Sequence, residues 1–240
     1  EANVGIRNRN IDANAKIALS KIDMATGDRV FFEDFDDGDN INVEDTYGFD
    51  MVVTGAGTKT ATHNELTSSA LVTAGSGAGV GTVMLVSKPA WDDSKTPVFR
   101  TRMKLLVITN VEAQIGFADT GGYGAHDAPT GDHDLAYWEF DDTTSATWRL
   151  RTRNPGLAGA LGDFIDVDSG ITVVTNTWYN LEIKLVNGLV VGKVNDEEFR
   201  TASATATKND TDWAAIARIE AHASSTNYAY FDTWHITSER

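Results

Sequence analysis

The sequence has no cysteine and only four prolines, and no apolar run approaches the roughly 20 residues of a membrane-spanning helix. The missing cysteine excludes a disulfide scaffold, a thiol nucleophile and a thiolate zinc site. It leaves the compartment open, because large domains outside cells can hold together without disulfides. Basic residues are also scarce: 20 Lys and Arg stand against 35 Asp and Glu, a formal charge of -15 over 240 residues. Phosphate backbones are bound by clustered Lys and Arg, so nucleic acid is excluded as a partner, and the charge favours solubility in salty water. Glu1 is not preceded by a methionine and no signal-peptide pattern follows, so the chain reads as a fragment or processed product. What is present suffices for a core. Hydrophobic residues make up 41%, which rules out wholesale disorder, and the length suits one large β domain or an α/β domain.

Two zones differ in texture. Residues 1–28 are polar and contain no aromatic residue, with Ile6, Ile11, Ala15, Ile17, Leu19 and Ile22 scattered among Asn, Arg and Lys. Such a segment cannot close a core alone and reads as an arm, with one short helix from Ala13 to Ile22. All six tryptophans and ten phenylalanines lie beyond residue 30. From Arg29 onward apolar residues alternate with polar ones between clusters of Gly, Asn and Asp. This pattern predicts strands at 29–36, 47–54, 68–74, 80–87, 97–109, 112–119, 134–141, 145–153, 163–167, 178–187, 189–195, 197–203, 213–221 and 227–237. Asn187-Gly188, between two alternating runs, is the strongest hairpin signal in the chain. So many short strands without intervening helices predict an all-β fold, a two-sheet antiparallel sandwich over residues 29–240 with the arm 1–28 in front.

The order of segments carries a resemblance. Phe32-Glu33-Asp34-Phe35-Asp36-Asp37-Gly38 opens the sandwich, Trp178-Tyr179-Asn180-Leu181-Glu182-Ile183 and the hairpin Val186-Asn187-Gly188-Leu189-Val190 follow, and Tyr230-Phe231-Asp232-Thr233-Trp234-His235-Ile236 closes it. This order resembles concanavalin A-like jelly rolls of the lectin/glucanase type, in which the first and last strands pair. A narrower resemblance lies in Tyr137-Trp138-Glu139-Phe140-Asp141-Asp142, Ser145-Ala146-Thr147-Trp148 and Trp178-Tyr179. It is to virion structural proteins of tailed viruses: head fibres, tail fibres and capsid-associated proteins. The arm from Asn10 to Ile22 looks like a segment recurrent in such fibre proteins. The resemblance implies a non-enzymatic virion protein in an extracellular particle, a capsid decoration or fibre with host-surface glycan attachment as a second role. Its partners would be capsid or tail proteins and itself. The fibre likeness, with too few large side chains in the arm to fold alone, leads us to expect a homotrimer joined through Ile6, Ile11, Ile17, Leu19 and Ile22. The jelly-roll likeness also implies a structural calcium where the ends of the sandwich meet, held by Glu33, Asp34 and Asp232.

The competing class is a secreted carbohydrate-active enzyme, a glycoside hydrolase or polysaccharide lyase, or a carbohydrate-binding module. A retaining glycosidase needs two carboxylates about 5–5.5 Å apart. The glucanase pattern Glu-x-Asp-x-(x)-Glu is half present in Glu139-Phe140-Asp141, but Thr143 and Thr144 stand where its second glutamate belongs. Glu139 and Asp141 then read as outward strand charges. Gln114-Ile115-Gly116 resembles the Gln-Ile-His element of alginate lyases with the essential histidine replaced by Gly116.

For glycan recognition the candidates are the loop residues Tyr123 and His126, the loop tryptophan Trp91, and two basic stripes. His126 and His133 share their loop with Asp119, Asp127, Asp132 and Asp134. A solvated loop is the plain reading there, and a metal or sugar hydroxyl the sharper one. Arg100, Arg102 and Lys104 alternate on one strand and Arg149, Arg151 and Arg153 on another, so each triplet occupies one sheet face. Cross-strand pairing with acids such as Glu139 and Asp141 is one reading. A cationic concave face for an acidic glycan or an acidic neighbouring subunit is the other. Trp138, Trp148, Trp178, Trp213 and Trp234 fall in or at the start of predicted strands and are expected in the core.

Overall fold

The computed structural model describes residues 29–33, 49–55, 61–64, 69–74, 81–87, 91–119, 134–154, 164–201, 213–222 and 226–239. The arm lies outside the described residues, with its short helix and Ile6, Ile11, Ile17, Leu19 and Ile22. So do Asp34, Tyr123, His126 and His133.

Fifteen strands follow one another: β1 (Arg29–Glu33), β2 (Phe49–Gly55), β3 (Ala61–Asn64), β4 (Ser69–Ala74), β5 (Gly81–Ser87), β6 (Val98–Leu105), β7 (Val111–Asp119), β8 (Leu135–Asp141), β9 (Ser145–Arg153), β10 (Phe164–Thr172), β11 (Tyr179–Val186), β12 (Leu189–Val194), β13 (Glu197–Arg200), β14 (Trp213–Ala221) and β15 (Asn227–Ser238). They form two antiparallel sheets. The seven-stranded sheet runs β10-β9-β8-β7-β14-β5-β2. The eight-stranded sheet runs β13-β12-β11-β6-β15-β4-β3, with β1 on the remaining length of β15. The first and last strands pair, from Arg29 opposite Ser238 to Glu33 opposite Trp234. Fourteen of the strands fall where the alternation places them. The exception is β3, whose Ala-Thr-His-Asn sequence carries no apolar alternation to detect. Among the described residues no helix is long and apolar enough to cross a membrane.

Alternation decides which side chains enter the core. In β11 Leu181, Ile183 and Leu185 are buried while Asn180 is exposed and Glu182 and Lys184 are half-buried. The β11–β12 turn has Asn187 at φ 49° and Gly188 at φ 81°, the paired left-handed conformation of a two-residue hairpin. Aromatic rings meet edge to face: Phe99 meets Trp234 of its own sheet at 5.0 Å, while Phe99–Phe117 at 6.1 Å and Trp148–Tyr179 at 5.8 Å join the two sheets. Such contacts add about 0.5–1.5 kcal/mol each beyond the area they bury. Trp138 spans the sandwich, its Nε1 donating to the Glu182 carbonyl at 3.0 Å. Its ring lies over Gly192, where a Cβ would stand 2.7 Å from the indole.

Candidate functional site

The seven-stranded sheet turns one face to the core and holds a polar network on the other. β7 sends Val111, Ala113, Ile115 and Phe117 into the core, and β8 sends Ala136, Trp138 and Phe140. Glu112 and Gln114 of β7 and Tyr137, Glu139 and Asp141 of β8 therefore share the outer face, as do Arg149 and Arg151 of β9 and Arg218 and Glu220 of β14. Register aligns them: Gln114 lies opposite Glu139 on one side and Arg218 on the other, and Glu112 opposite Asp141 and Glu220. Next to this network the same face is apolar, with Val86, Ala118, Leu135, Tyr137, Ala214 and Ile216 forming a buried cluster. The face thus sets a buried apolar cluster beside convergent polar groups.

Glu139 is at the centre, with a side chain only 3% exposed. Arg151 Nη1 donates to its Oε2 at 2.5 Å, and Gln114 Nε2 approaches its Oε1 at 3.4 Å. The same amide nitrogen donates to Glu112 Oε1 at 2.5 Å, so one glutamine bridges two carboxylates from adjacent strands. Burial raises the pKa of Glu139 above the ordinary carboxyl value, against the opposing pull of Arg151. Tyr137 beside it is pushed well above the usual phenol range by burial and then by the charge of Glu139. Glu112 is more open, and Arg218 Nη1 lies 3.4 Å from its Oε2. Arg218, buried in the sheet, also pairs with Glu220. On the far side Arg149 pairs with Asp166 at 2.7 Å.

The convergence of Glu112 and Glu139 is invisible along a single strand, because they come from β7 and β8. β8 ends at Asp141, whose Oδ1 accepts from the Thr143 amide at 2.9 Å and its hydroxyl at 2.7 Å, closing a turn where the glucanase pattern would place its glutamate. The carboxylate that shares the Gln114 amide with Glu139 is Glu112 of β7. The available signal was Glu112-Ala113-Gln114 and Arg218-Ile219-Glu220, polar residues at period two in otherwise apolar strands. Glu139 itself is no solvated strand charge, being buried within its network. The lyase element fares differently. A Cβ on Gly116 would stand 2.2 Å from the Ala136 carbonyl oxygen, so no side chain fits where the alginate-lyase histidine would be.

The other sequence candidates scatter. Trp91 is not an exposed loop contact: it is 1% exposed, and its backbone exchanges hydrogen bonds of 2.8 and 3.0 Å with Trp213. Trp178, expected in the core, instead lies partly exposed just before β11. The two arginine stripes sit on outer faces of opposite sheets and cannot form one surface. Arg100 pairs with Glu182 at 2.6 Å and Arg102 with Asp232 at 2.8 Å. Asp232 is the extra residue of a bulge in β15 and is held by that guanidinium, which any calcium would have to displace. The backbone of Glu33 is opposite Trp234. Two further acid–histidine sets converge, Glu112-Glu220-His222 and Asp141-Asp142-His222. In the first the carboxylates serve Arg218. In the second Asp142 accepts from the Asn110 and Val111 amides, both at 2.8 Å.

Comparison with solved structures fixes the architecture. The catalytic domain of an endo-1,3-β-glucanase (laminarinase) from Thermotoga petrophila superposes with a TM-score of 0.63 at 12% identity, covering 88% of this chain and 97% of that one. A Bacillus licheniformis β-glucanase gives 0.58 at 12% identity, covering 88% and 98%. A structure described with endo-acting O-glycanases, which prominent members of the human gut microbiota express to initiate mucin breakdown, gives 0.65 at 11% identity, covering 88% and 99%. The fold is the concanavalin A-like jelly roll of the glucanases. No family model matches the sequence, and neither does any curated protein. These three neighbours correct the expectation of a non-enzymatic virion protein, because each is described by a glycan-cleaving activity.

Proposed function

We propose that the chain is an endo-acting glycoside hydrolase whose active surface is the outer face of the seven-stranded sheet. Glu139 is the proton donor and Glu112 the second carboxylate. One observation carries this reading: Glu112 and Glu139, from neighbouring strands, meet at a single amide, that of Gln114. Both Oε1 atoms lie within reach of one nitrogen, which suits a retaining pair, with carboxyls about 5–5.5 Å apart, better than an inverting one at about 6.5–9.5 Å. The environments also differ in the sense the chemistry needs. Burial favours the protonated form of Glu139, which suits a general acid. Glu112 is the less buried of the two and lies 3.4 Å from Arg218 Nη1, a position open to a reacting sugar carbon and suited to a nucleophile. Arg151 and Gln114 fix the orientation of Glu139, and rigid strands hold both acids.

The test is incubation with a panel of polysaccharides that includes laminarin and mixed-linkage β-glucan, following release of reducing ends. We expect internal cleavage with retained anomeric configuration. Glu139→Gln and Glu112→Gln should each lower the rate by about 10²–10⁴-fold. Unsaturated products would replace hydrolysis by elimination. Binding without turnover would leave a carbohydrate-binding module.

A further inference from the structure

The outer face of the eight-stranded sheet carries a second concentration of chemistry. β6 buries Phe99, Thr101, Met103 and Leu105 and turns Arg100, Arg102 and Lys104 outward. Register sets Tyr230 of β15 opposite Lys104, and sets Tyr179 opposite Met103, so Trp178 flanks Lys104 from the other side. The three side chains form a row, Lys104 from β6, Tyr230 from β15 and Trp178 from the residue just before β11. Lys104 Nζ lies 4.9 Å from the Trp178 ring centroid and 5.0 Å from that of Tyr230, and it donates to Asn176 Oδ1 at 3.0 Å. Arg102 Cζ lies 4.6 Å from the same indole. Both rings are partly exposed.

Charge singles out Lys104. Its neighbours Arg100 and Arg102 each hold a carboxylate, Glu182 and Asp232. The partners of Lys104 among the described residues are an amide oxygen and two ring faces, all uncharged. In a chain of formal charge -15, an ammonium kept clear of acids leaves a local positive charge that aromatic faces stabilise without neutralising. The partly exposed rings beside it offer flat apolar surfaces with polar edges, which match the C–H faces of sugar rings.

We propose that Trp178, Lys104 and Tyr230, with Arg102 at the rim, form a binding site for an anionic saccharide, on the sheet opposite the candidate active site. Lys104 takes the carboxylate or sulfate, and the rings take adjacent sugar faces. Strands β6 and β15 hold Lys104 and Tyr230, and Trp178 adjoins the start of β11, so the site is formed before the ligand arrives. This site does not depend on hydrolysis, and its test is run in the Glu139→Gln chain, so that the polymer stays intact whether or not the hydrolase reading holds.

Affinity electrophoresis and calorimetry at low salt would use alginate for carboxylate, carrageenan for sulfate and laminarin as the neutral control. We expect at least one acidic polymer to bind, and which one binds identifies the anionic group. Lys104→Gln and Trp178→Ala should each weaken that binding at least tenfold, whereas Lys104→Arg should retain it. Added salt should weaken the parent more than Lys104→Gln, since the lost interaction is between exposed charges. Lys104→Gln replaces a surface side chain, and an unchanged melting curve would verify its fold. Failure of both acidic polymers to bind, or equal affinity in Lys104→Gln and the parent, would overturn the proposal.

Discussion

At Glu139 two physical effects oppose each other. Burial disfavours the ion, and Arg151 at 2.5 Å favours it. Burial prevails and raises the carboxyl's pKa, so the folded chain keeps this proton to a higher pH than the unfolded chain, whose glutamates titrate near 4.3, as an order-of-magnitude reference. Between those two values the folded state binds more protons, and stability falls as pH rises. The contribution is complete below the ordinary carboxyl value and is lost above the raised one. Glu139→Gln removes it. The melting temperature of the native chain minus that of the variant should therefore shrink from pH 4 to pH 8. A difference that grows with pH would show that Arg151 dominates and that Glu139 is ionised throughout. His235 on the other sheet shows the same effect of burial with the opposite sign, its pKa lowered by burial and then by Arg100.

At the scale of strands, the catalytic proposal rests on how closely β7 and β8 approach. Gly116 faces Tyr137 across the pair, and an added methyl would stand 2.2 Å from the Ala136 carbonyl and 2.6 Å from the Tyr137 Cα. Both obstacles are backbone, so neither can rotate aside. Gly116→Ala should force the strands apart two residues from Gln114 and Glu139. Overpacking of this kind costs about 1–3 kcal/mol, readable as a lower urea midpoint. Activity should fall more than the stability loss explains, because the shared amide no longer reaches both carboxylates. A variant with native midpoint and native rate would show that the strands can shift freely there.

At the scale of the whole molecule, the sandwich closes where β1 lies against the end of β15. The first described strand, β1, starts at Arg29, and residues 1–28 lie outside the described residues. Deleting residues 1–28 should leave every described strand intact and the melting temperature within a few degrees. Deleting through Glu33 should remove the backbone partners of Trp234–Ser238 on that side and lower it further, each kcal/mol appearing as about 2–4 °C at this size. Equal melting of the two truncations would make β1 dispensable. Sedimentation of the same proteins tests the arm as an assembly element. A trimeric parent with a monomeric 1–28 deletion would place association in Ile6, Ile11, Ile17, Leu19 and Ile22, and a trimeric deletion would place it on the sandwich.

The sequence by itself determined the fold class. Period-two alternation in segments such as Leu181-Glu182-Ile183-Lys184-Leu185, the Asn187-Gly188 turn and the segment order from Phe32 to Trp234 are local or one-dimensional signals, and they specify strands, a hairpin and a jelly roll. β3 escaped because four small and polar residues carry no such period. The candidate site was only half legible. Glu139 stood out along its strand, but its partners Glu112, Gln114 and Arg218 come from strands β7 and β14, at sequence separations that only register can bridge. Tertiary structure alone also decided the tryptophans. Trp91 is drawn into the core by its backbone pairing with Trp213, and Trp178 is left at the surface beside Lys104 because the strand following it, not Trp178 itself, turns its first side chain inward. Which face a residue occupies follows from alternation within a strand; which residues it meets follows from pairing between strands, and pairing is a property of the folded chain.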